Sequence, residues 1–185
     1  MTESGGGETG GTDAAGGAAE MGSSGAAGYP QLTVVRIARL ELSLLASLVE
    51  YGRAALGDSA LDEWLLPVIA GHGRLYAGMA GDEIAGAAEI IRCFEGNDLY
   101  LEGLYVRPEF QGRGYGSQLL TGVMRLLSGE GDFSRVIATV DPANAAGRRI
   151  YAKAGFIETA IEQNHYGPGR DRIVLAAWLG NITNK

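Results

Sequence analysis

The strongest chemical signal in the sequence is a glycine-rich stretch between an apolar strand and an amphipathic helix. It reads VRPEFQGRGYGS over residues 106–117. Glycines just before a helix allow successive backbone N–H groups to point at one anion, and the helix dipole strengthens the attraction. The spacing differs from the dinucleotide fingerprint, and the stretch has no Gly-Lys-Ser/Thr of a P-loop. The stretch therefore suits a turn that binds a diphosphate, although taken alone a purely structural turn is the better interpretation.

A carboxylate in the preceding strand is the first candidate for proton transfer. Strand alternation predicts that Tyr100, Glu102, Leu104 and Val106 share one face, which is otherwise apolar apart from the tyrosine hydroxyl. We expect Glu102 to be partly desolvated there, which would raise its pKa towards the range of a general base. Gly103 could form a bulge that opens the sheet. The alternative is a glutamate that faces solvent at a sheet edge.

A helix over residues 144–154 supplies the second candidate. Asn144 and Tyr151 are seven residues apart, which is two helical turns, so they share a face. The phenol of Tyr151 could donate a proton to a leaving group. The alternative is a tyrosine that packs its ring and bonds a backbone carbonyl. Gly155 is typical of a residue that ends such a helix.

Thiol and metal chemistry are not expected. The chain has one cysteine, Cys93, in an apolar stretch, and its two histidines, His72 and His165, lie in no recognisable motif. A nucleophilic cysteine needs a partner base, and this histidine and cysteine spacing matches no metal-ligand pattern. We therefore predict a structural thiol and no metal.

Composition and charge narrow the partners and the compartment. The 185 residues carry a net charge of −7 with a pI near 4.8, which disfavours nucleic acid and mildly favours a cationic substrate such as an amine. The longest apolar runs are far shorter than the ~20 residues of a membrane span. The first thirty residues contain no Lys or Arg and no apolar core of a signal peptide. We predict a cytoplasmic protein that does not bind membranes.

The elements that must position these residues follow a disordered tail. Residues 1–29 contain no Leu, Ile, Val or Phe, so they cannot bury enough apolar area to offset the entropy of ordering. One domain is predicted over residues 30–185. Its strands are expected at 33–37, 74–80, 83–93, 99–106, 135–140, 156–161 and 172–178. Its helices are expected at 40–56, after a capping box at Ser59–Asp62, after the glycine-rich stretch and at 144–154, and Pro67 should end or kink the second helix.

In these motifs the chain resembles the GNAT superfamily of acetyltransferases over residues 33–178. The letters QGRGYG from Gln111 match the family signature Gln/Arg-x-x-Gly-x-Gly/Ala, and residues 99–120 are similar to the diamine acetyltransferases. NAAGRRIYAKAGF over residues 144–156 is similar to the family's Asn…Tyr-x-Lys-x-Gly-Phe helix. The resemblance implies an α+β fold of three layers. Its mixed, mostly antiparallel sheet of about seven strands is flanked by about four helices and split between the fourth and fifth strands.

The resemblance also implies acetyl-CoA as co-substrate and an amine as acceptor. Glu102 would take the proton of the amine, through water, and Tyr151 would protonate the thiolate. The coenzyme would be bound along the end of the fourth strand, the glycine-rich stretch and the last helix, by Leu104, Tyr105, Val106, Gln111, Gly112, Arg113, Gly114, Tyr115, Gly116, Ser117 and Asn144.

The identity of the acceptor is left open between two classes. A small-molecule amine is the first expectation, and a protein N-terminus is the alternative, because residues 164–171 also resemble the substrate loop of ribosomal-protein N-terminal acetyltransferases. That resemblance implies that Tyr166 contacts substrate, and the alternative is a residue of a surface turn. The base of those enzymes corresponds to Thr139 here, which cannot accept a proton in that way. A domain that binds acyl-CoA without turnover is a third hypothesis, and the resemblance also allows a homodimer.

Overall fold

The structure is a computed structural model that describes residues 28–131 and 133–181. Apart from Gly28 and Tyr29, the predicted disordered tail lies outside the described residues. Within them, the strands are β1 Thr33–Ile37, β2 Arg74–Ala80, β3 Glu83–Arg92, β4 Asp98–Val106, β5 Arg135–Val140, β6 Ile157–Glu162 and β7 Arg172–Trp178. The α-helices of the same residues are α1 Leu42–Leu56, α2 Leu65–His72, α3 Tyr115–Gly129 and α4 Ala145–Lys153. The predicted element order is confirmed.

The strands form one sheet in the order β1-β2-β3-β4-β5-β7-β6. All neighbouring strands are antiparallel except β4 and β5, which are parallel and paired only from Asp98↔Arg135 to Leu101↔Ala138. The second half of β4 continues to pair with β3, while the end of β5 continues to pair with β7. The predicted split between the fourth and fifth strands is therefore confirmed.

A β-bulge interrupts β4 at the point where it leaves β5. The register with β3 passes from Ile90↔Leu101 to Glu89↔Gly103, so Glu102 has no opposite residue. An extra residue of this kind increases the local twist and bends the strand away from its neighbour. The bulge expected at Gly103 is thus present, and its unpaired residue is Glu102, one position before Gly103.

The bulge also reverses the alternation of side chains along β4. Leu101 before it, and Leu104 and Val106 after it, all pack on the core beneath α3, whereas Tyr105 packs on the opposite face beneath α1. The predicted common face of Glu102, Leu104 and Val106 is therefore wrong. Side chains of a strand alternate between its two faces, so one unpaired residue moves every later side chain to the opposite face.

Two apolar cores hold the helices on the two faces of the sheet. The amphipathic helix predicted after the glycine-rich stretch is confirmed as α3, whose apolar face is at most 1% exposed: Leu119, Leu120, Val123, Met124 and Leu127. Burying one such side chain contributes roughly 1.5–3 kcal/mol to stability. The second core joins α1 and α2 to the sheet through Leu48, Val49, Leu66, Ala70, Leu75, Ala87 and Tyr105.

The start of α2 differs from the sequence-based prediction. Ser59 lies in a short 3₁₀ turn, and the capping acceptor is the carboxylate of Asp62, which accepts from the N–H groups of Trp64 and Leu65 at 3.0 and 2.9 Å. Pro67 lies in the first turn of the helix instead of ending it. A proline is tolerated there because its missing N–H would have no partner in the helix.

Gly86 of β3 tests how tightly the end of β4 is held. A Cβ at this position would lie 2.2 Å from the carbonyl oxygen of Tyr105 and 3.0 Å from the Cα of Val106, so backbone would have to move. We expect Gly86→Ala to lower the free energy of unfolding by about 1–3 kcal/mol in urea denaturation. Gly129→Ala is the control, because nothing lies within 4 Å of its Cβ in α3. Equal stability of the two variants would contradict this packing.

Candidate active site

The glycine-rich turn leads directly into the N-terminus of α3. Gly112 and Gly114 have φ values of 76° and 77°, a region that residues with a Cβ rarely adopt. The first backbone bond into the helix runs from the N–H of Gln118 to the oxygen of Gly114 at 3.2 Å. The preceding N–H groups of the first turn have no partner in the helix, and that turn contains no acidic side chain. These donors and the helix dipole suit a diphosphate.

Two side chains of the turn stabilise its shape. The amide of Gln111 donates to the carbonyl oxygen of Val106 at 3.0 Å, and the guanidinium of Arg113 donates to that of Glu109 at 2.7 Å. Arg113 also stacks over the ring of Phe110, at 5.1 Å from its centroid. The side chains thus bind the turn to itself, which leaves the backbone N–H groups as its donors towards a ligand.

The end of β4 offers an unpaired strand edge beside this turn. Leu104, Tyr105 and Val106 pair with β3 on one side, but the β4–β5 ladder ends at Leu101. Tyr105 is anchored by its hydroxyl, which donates to the carbonyl oxygen of Leu48 at 3.2 Å. An extended chain such as a pantetheine arm fits an edge of this kind, because it can take up the free backbone groups.

Asn144 and Tyr151 lie on α4. Asn144 is the N-cap, and its side-chain oxygen accepts from the N–H of Gly147 at 2.8 Å, so its amide N–H₂ is left to donate. Tyr151 is 9% exposed and packs edge-on against the ring of Phe156 at 5.3 Å. Burial raises the pKa of Tyr151 to about 12, and its hydroxyl has no hydrogen-bond partner among the described residues. The alternative expected from the sequence, a hydroxyl that donates to a backbone carbonyl, is therefore not found among the described residues.

A group of hydroxyls lies where β4 and β5 part. The hydroxyl of Tyr100 and that of Thr139 are 3.1 Å apart and connect the two strands. Burial raises the pKa of Tyr100 above its usual range, and the neighbouring Tyr166 and Glu102 raise it further. The ring of Tyr166 is half exposed and is covered on one side by the guanidinium of Arg172, at 4.9 Å. Tyr166 therefore lies near the opening of the sheet.

The loop that carries Tyr166 is closed by its own hydrogen bonds. The carboxylate of Asp171 accepts from the N–H of Asn164 at 2.8 Å, and the side chain of Asn164 accepts from the N–H of Gly169 at 2.7 Å. Asn164 has a φ of 53°, in the left-handed region that asparagine tolerates. His165 packs edge-on against the ring of Tyr166 at 4.4 Å between ring centroids, and its Nδ1 pairs with the carboxylate of Glu162. The tyrosine is thus held by a compact turn.

Glu102 lies at the bulge with its side chain exposed. The expectation of a partly desolvated carboxylate is wrong. The shifted register turns the apolar residues that follow, Leu104 and Val106, to the opposite face, so they do not cover it. Glu102 instead adds negative charge near Tyr100 at the opening.

A second carboxyl group, Glu89 of β3, was not among the predicted site residues. It is 4% exposed and lies directly opposite Gly103, where a Cβ would approach its Oε2 to 1.8 Å. No group of the described residues forms a hydrogen bond or ion pair with its side chain. Burial raises the pKa of Glu89 to about 7, and the charge of Glu102 contributes to the increase. The absent side chain of Gly103 is what makes room for it.

Part of this arrangement was visible in the sequence. An acidic residue interrupts the apolar run of residues 84–91, which a buried strand rarely allows without a reason. The register that places it opposite a glycine depends on the unpaired Glu102 of β4, between the pairs Glu89↔Gly103 and Ile90↔Leu101. Alternation alone could not supply that register.

Among the described residues, no three side chains of His, Cys, Asp or Glu are grouped in a way that could hold a metal ion. None of the helices in the same ranges combines the length and the apolar character that a bilayer span requires.

Comparison with known proteins places the chain in a family. The model of the "Acetyltransferase (GNAT) family" matches residues 41–156. A ribosomal protein bS18-alanine N-acetyltransferase from Haemophilus ducreyi is 30% identical over 83 residues, which cover 43% of this chain and 57% of that relative. The matched part therefore spans little more than half the length of this relative. The chain belongs to the GNAT family of acetyltransferases.

Solved structures share the fold. An acetyltransferase from Bacillus subtilis in complex with CoA has a TM-score of 0.65 and 17% identity, covering 80% of this chain and 98% of that one. A spermidine N-acetyltransferase chimera from Vibrio cholerae and hSSAT has a TM-score of 0.70 and 16% identity, covering 84% and 99%. The fold implied by the sequence motifs is confirmed.

The buried carboxyl of Glu89 makes a prediction about stability and pH. Its folded pKa of about 7 lies above its ordinary value of 4.5, so the unfolding free energy of the wild type should fall as pH rises between these values. Glu89→Gln removes this titration. We expect the stability of the variant relative to the wild type to rise by about 2 kcal/mol from pH 5 to pH 8. Urea denaturation at both pH values measures the difference, and parallel pH dependences would contradict the buried titration.

Proposed function

We propose that this protein transfers the acetyl group of acetyl-CoA to a primary amine by direct attack, with both substrates bound at once. The observation that carries the proposal is the open edge of β4, from Glu102 to Val106, next to the α3 N-terminus and its two glycines of positive φ. Family membership supplies the reaction class, and these features fit the two ends of one ligand. The turn suits its diphosphate, and the strand edge suits its extended arm.

The side chains around the opening complete the coenzyme site in this proposal. The backbone N–H groups from Gly112 to Ser117 bind the diphosphate, with Arg113 at the rim, while the N–H of Gln111 donates to the carbonyl oxygen of Pro108 within the turn. The backbone of Leu104, Tyr105 and Val106 pairs with the pantetheine arm, and a backbone N–H there polarises the acetyl carbonyl. The free amide N–H₂ of Asn144 donates to the same arm. The positions of these groups around the opening and their match to the family's motifs support these assignments.

The acceptor must lose a proton before it can react. A primary amine with an ordinary pKa near 10.4 is almost entirely protonated at pH 7, and only the neutral form is a nucleophile. Leaving this step to solvent would add about 5 kcal/mol to the barrier. We propose that Glu102 is the first carboxylate that the ammonium meets and that its proton leaves from there, directly or through water. The ring of Tyr166 borders the same opening and contacts the acceptor.

Tyr151 serves the leaving group. The pKa of about 12 keeps its hydroxyl protonated at every working pH, so a donor is always available. A free thiol has a pKa near 8.5, so complete transfer of the phenolic proton would be uphill by roughly 5 kcal/mol. We therefore propose that Tyr151 stabilises the developing thiolate mainly by a hydrogen bond, which strengthens as charge accumulates on sulfur.

The structure and the family membership indicate the class of the acceptor less directly than they indicate the reaction. The exposed Glu102 and the negative net charge favour a small cationic amine, such as a polyamine, an amino acid or an aminoglycoside. A protein N-terminus is the second candidate, and the compact loop around Tyr166, together with the likeness to the bS18-alanine N-acetyltransferase, favours it. A small amine needs only a charged opening, whereas a peptide also needs a surface for the residues that follow its N-terminus.

The proposed function is tested with acetyl-CoA and a panel of acceptors. Polyamines, amino acids, aminoglycosides and short N-terminal peptides are supplied separately, and release of free coenzyme A thiol is measured. Turnover with one class and not the other identifies the substrate class. Tight binding of acetyl-CoA by calorimetry without thiol release from any acceptor would instead support a non-catalytic sensor of acyl-CoA.

Removal of the Tyr151 hydroxyl should separate chemistry from binding. We expect Tyr151→Phe to lower kcat by ~10- to 10⁴-fold, while the Kd of acetyl-CoA changes little, because only the donor to the sulfur is lost. Tyr76→Phe is the matched control, since that hydroxyl bonds Glu130 at 3.2 Å on the other side of β3. An unchanged kcat in Tyr151→Phe would remove this residue from the reaction.

A further inference from the structure

Glu89 is a buried acid for which the fold provides no counterion. Its side chain is 4% exposed, and no donor or cation of the described residues pairs with it. An unpartnered carboxyl in a core costs several kcal/mol when ionised, so such groups are rare unless they have a function. A glutamine or a leucine would fill the same volume without this cost. The acidity of the group therefore calls for an explanation.

The surroundings of Glu89 connect it to the open part of the sheet. It alternates with Ala87 and lies opposite Leu75 and Gly103, so it is on the face beneath α1 and α2. Two titratable groups of β4 interact with it: the carboxylate of Glu102 raises the pKa of Glu89, and the charge of Glu89 in turn raises the pKa of the Tyr105 phenol. The side chains that α1 and α2 bury on this face are apolar: Leu48, Val49, Leu66 and Ala70.

The missing Cβ of Gly103 brings the two carboxyl groups into one neighbourhood. Glu102 is exposed at the opening, and the carboxyl of Glu89 occupies the space above the very next residue. A proton that reaches Glu102, or a water beside it, therefore has a second acceptor immediately behind the strand. No other carboxyl group of β3 is buried, since Glu83 lies exposed at the far end of this strand.

We propose that Glu89 is the terminal acceptor of the proton that the acceptor ammonium loses, with Glu102 binding the ammonium and relaying its proton directly or through water. This assignment rests on the proposed function and adds a catalytic group to it. The carboxylate of Glu89 takes the proton only when the relay from Glu102 or water reaches it. Glu102, at the opening, sets the affinity for the amine.

The protons balance in this scheme. The ammonium carries three: one passes to the carboxylate of Glu89 and later to solvent, and the nitrogen lone pair then forms the bond to the acetyl carbon. When the carbon–sulfur bond breaks, the second proton leaves the nitrogen and ends on the coenzyme sulfur, which accepts a hydrogen bond from Tyr151 meanwhile. The third proton stays on the amide product.

The environment makes Glu89 the better base of the two. A general base is most effective when its pKa is close to the working pH. Burial and the neighbouring charge of Glu102 raise the pKa of Glu89 to about 7, whereas Glu102 is exposed to solvent. The ammonium of a bound substrate would also favour the ionised form of Glu89, which is the form that accepts a proton.

The pH dependence of kcat distinguishes the two carboxyl groups. With saturating acetyl-CoA and the amine that gives most thiol release, wild-type kcat should rise with pH through an apparent pKa near 7. In Glu89→Gln this rise should be absent, and kcat at pH 7 should fall by about 10²- to 10⁴-fold, with a smaller loss at pH 9. In Glu102→Gln the rise of kcat should persist but occur at lower pH, because the charge of Glu102 no longer raises the pKa of Glu89. The KM for the amine should increase.

Two further variants complete the design. Glu89→Asp keeps an acid at the site and should retain the pH-dependent rise with part of the activity. Glu83→Gln, an exposed acid of the same strand, should behave as the wild type. The proposal is overturned if Glu89→Gln keeps the wild-type profile, or loses the same factor at every pH, as a packing defect would. An active enzyme in which only Glu102→Gln abolishes the rise also overturns it. No thiol release by the wild type would overturn this assignment and the proposed function together.

Discussion

The short parallel ladder between β4 and β5 is the constraint on which the site depends. Only four residue pairs join the strands, from Asp98↔Arg135 to Leu101↔Ala138. Beyond them, β4 is held by β3 and β5 is held by β7, so neither strand can move across to close the gap. Backbone hydrogen bonds on the outer edges thus keep the inner edges apart. A free strand edge inside a sheet is costly, because its buried N–H and C=O groups have no partners, unless a ligand supplies them.

The bulge at Glu102 sets both the opening and the chemistry next to it. It bends β4 away from β5. It also reverses the faces on which the following side chains lie, so that Leu104 and Val106 join the core beneath α3. The same shift places Gly103 opposite Glu89, where a Cβ would displace the carboxyl group of Glu89 from its position. One inserted residue therefore determines where the strand separates and where the second carboxyl group can lie. Bulges near functional sites commonly have this role.

The sequence predicted the elements well because their signals are local. The amphipathic pattern of α3 and the glycines before it each depend on a few neighbouring residues. Register is different, since it depends on which residues of separate strands meet. Plain alternation placed Glu102 among apolar side chains because it could not include the unpaired residue in β4, and it did not indicate that Glu89 lies opposite a glycine. The helix start at Asp62 was misplaced for a smaller reason: Ser59 fits a capping pattern equally well.

The stability of the fold is reduced at the place where the proposed reaction needs an acid. The chain already carries a net charge of −7, and an uncompensated buried carboxyl adds repulsion with Glu102 to the cost of desolvation. A core built for stability alone would place an apolar residue at position 89. The same cost becomes useful when a cation enters the opening, because the ammonium lowers the energy of both carboxylates at once. Substrate charge would then supply the counterion that the protein omits, which links affinity for a cationic amine to the readiness of the base.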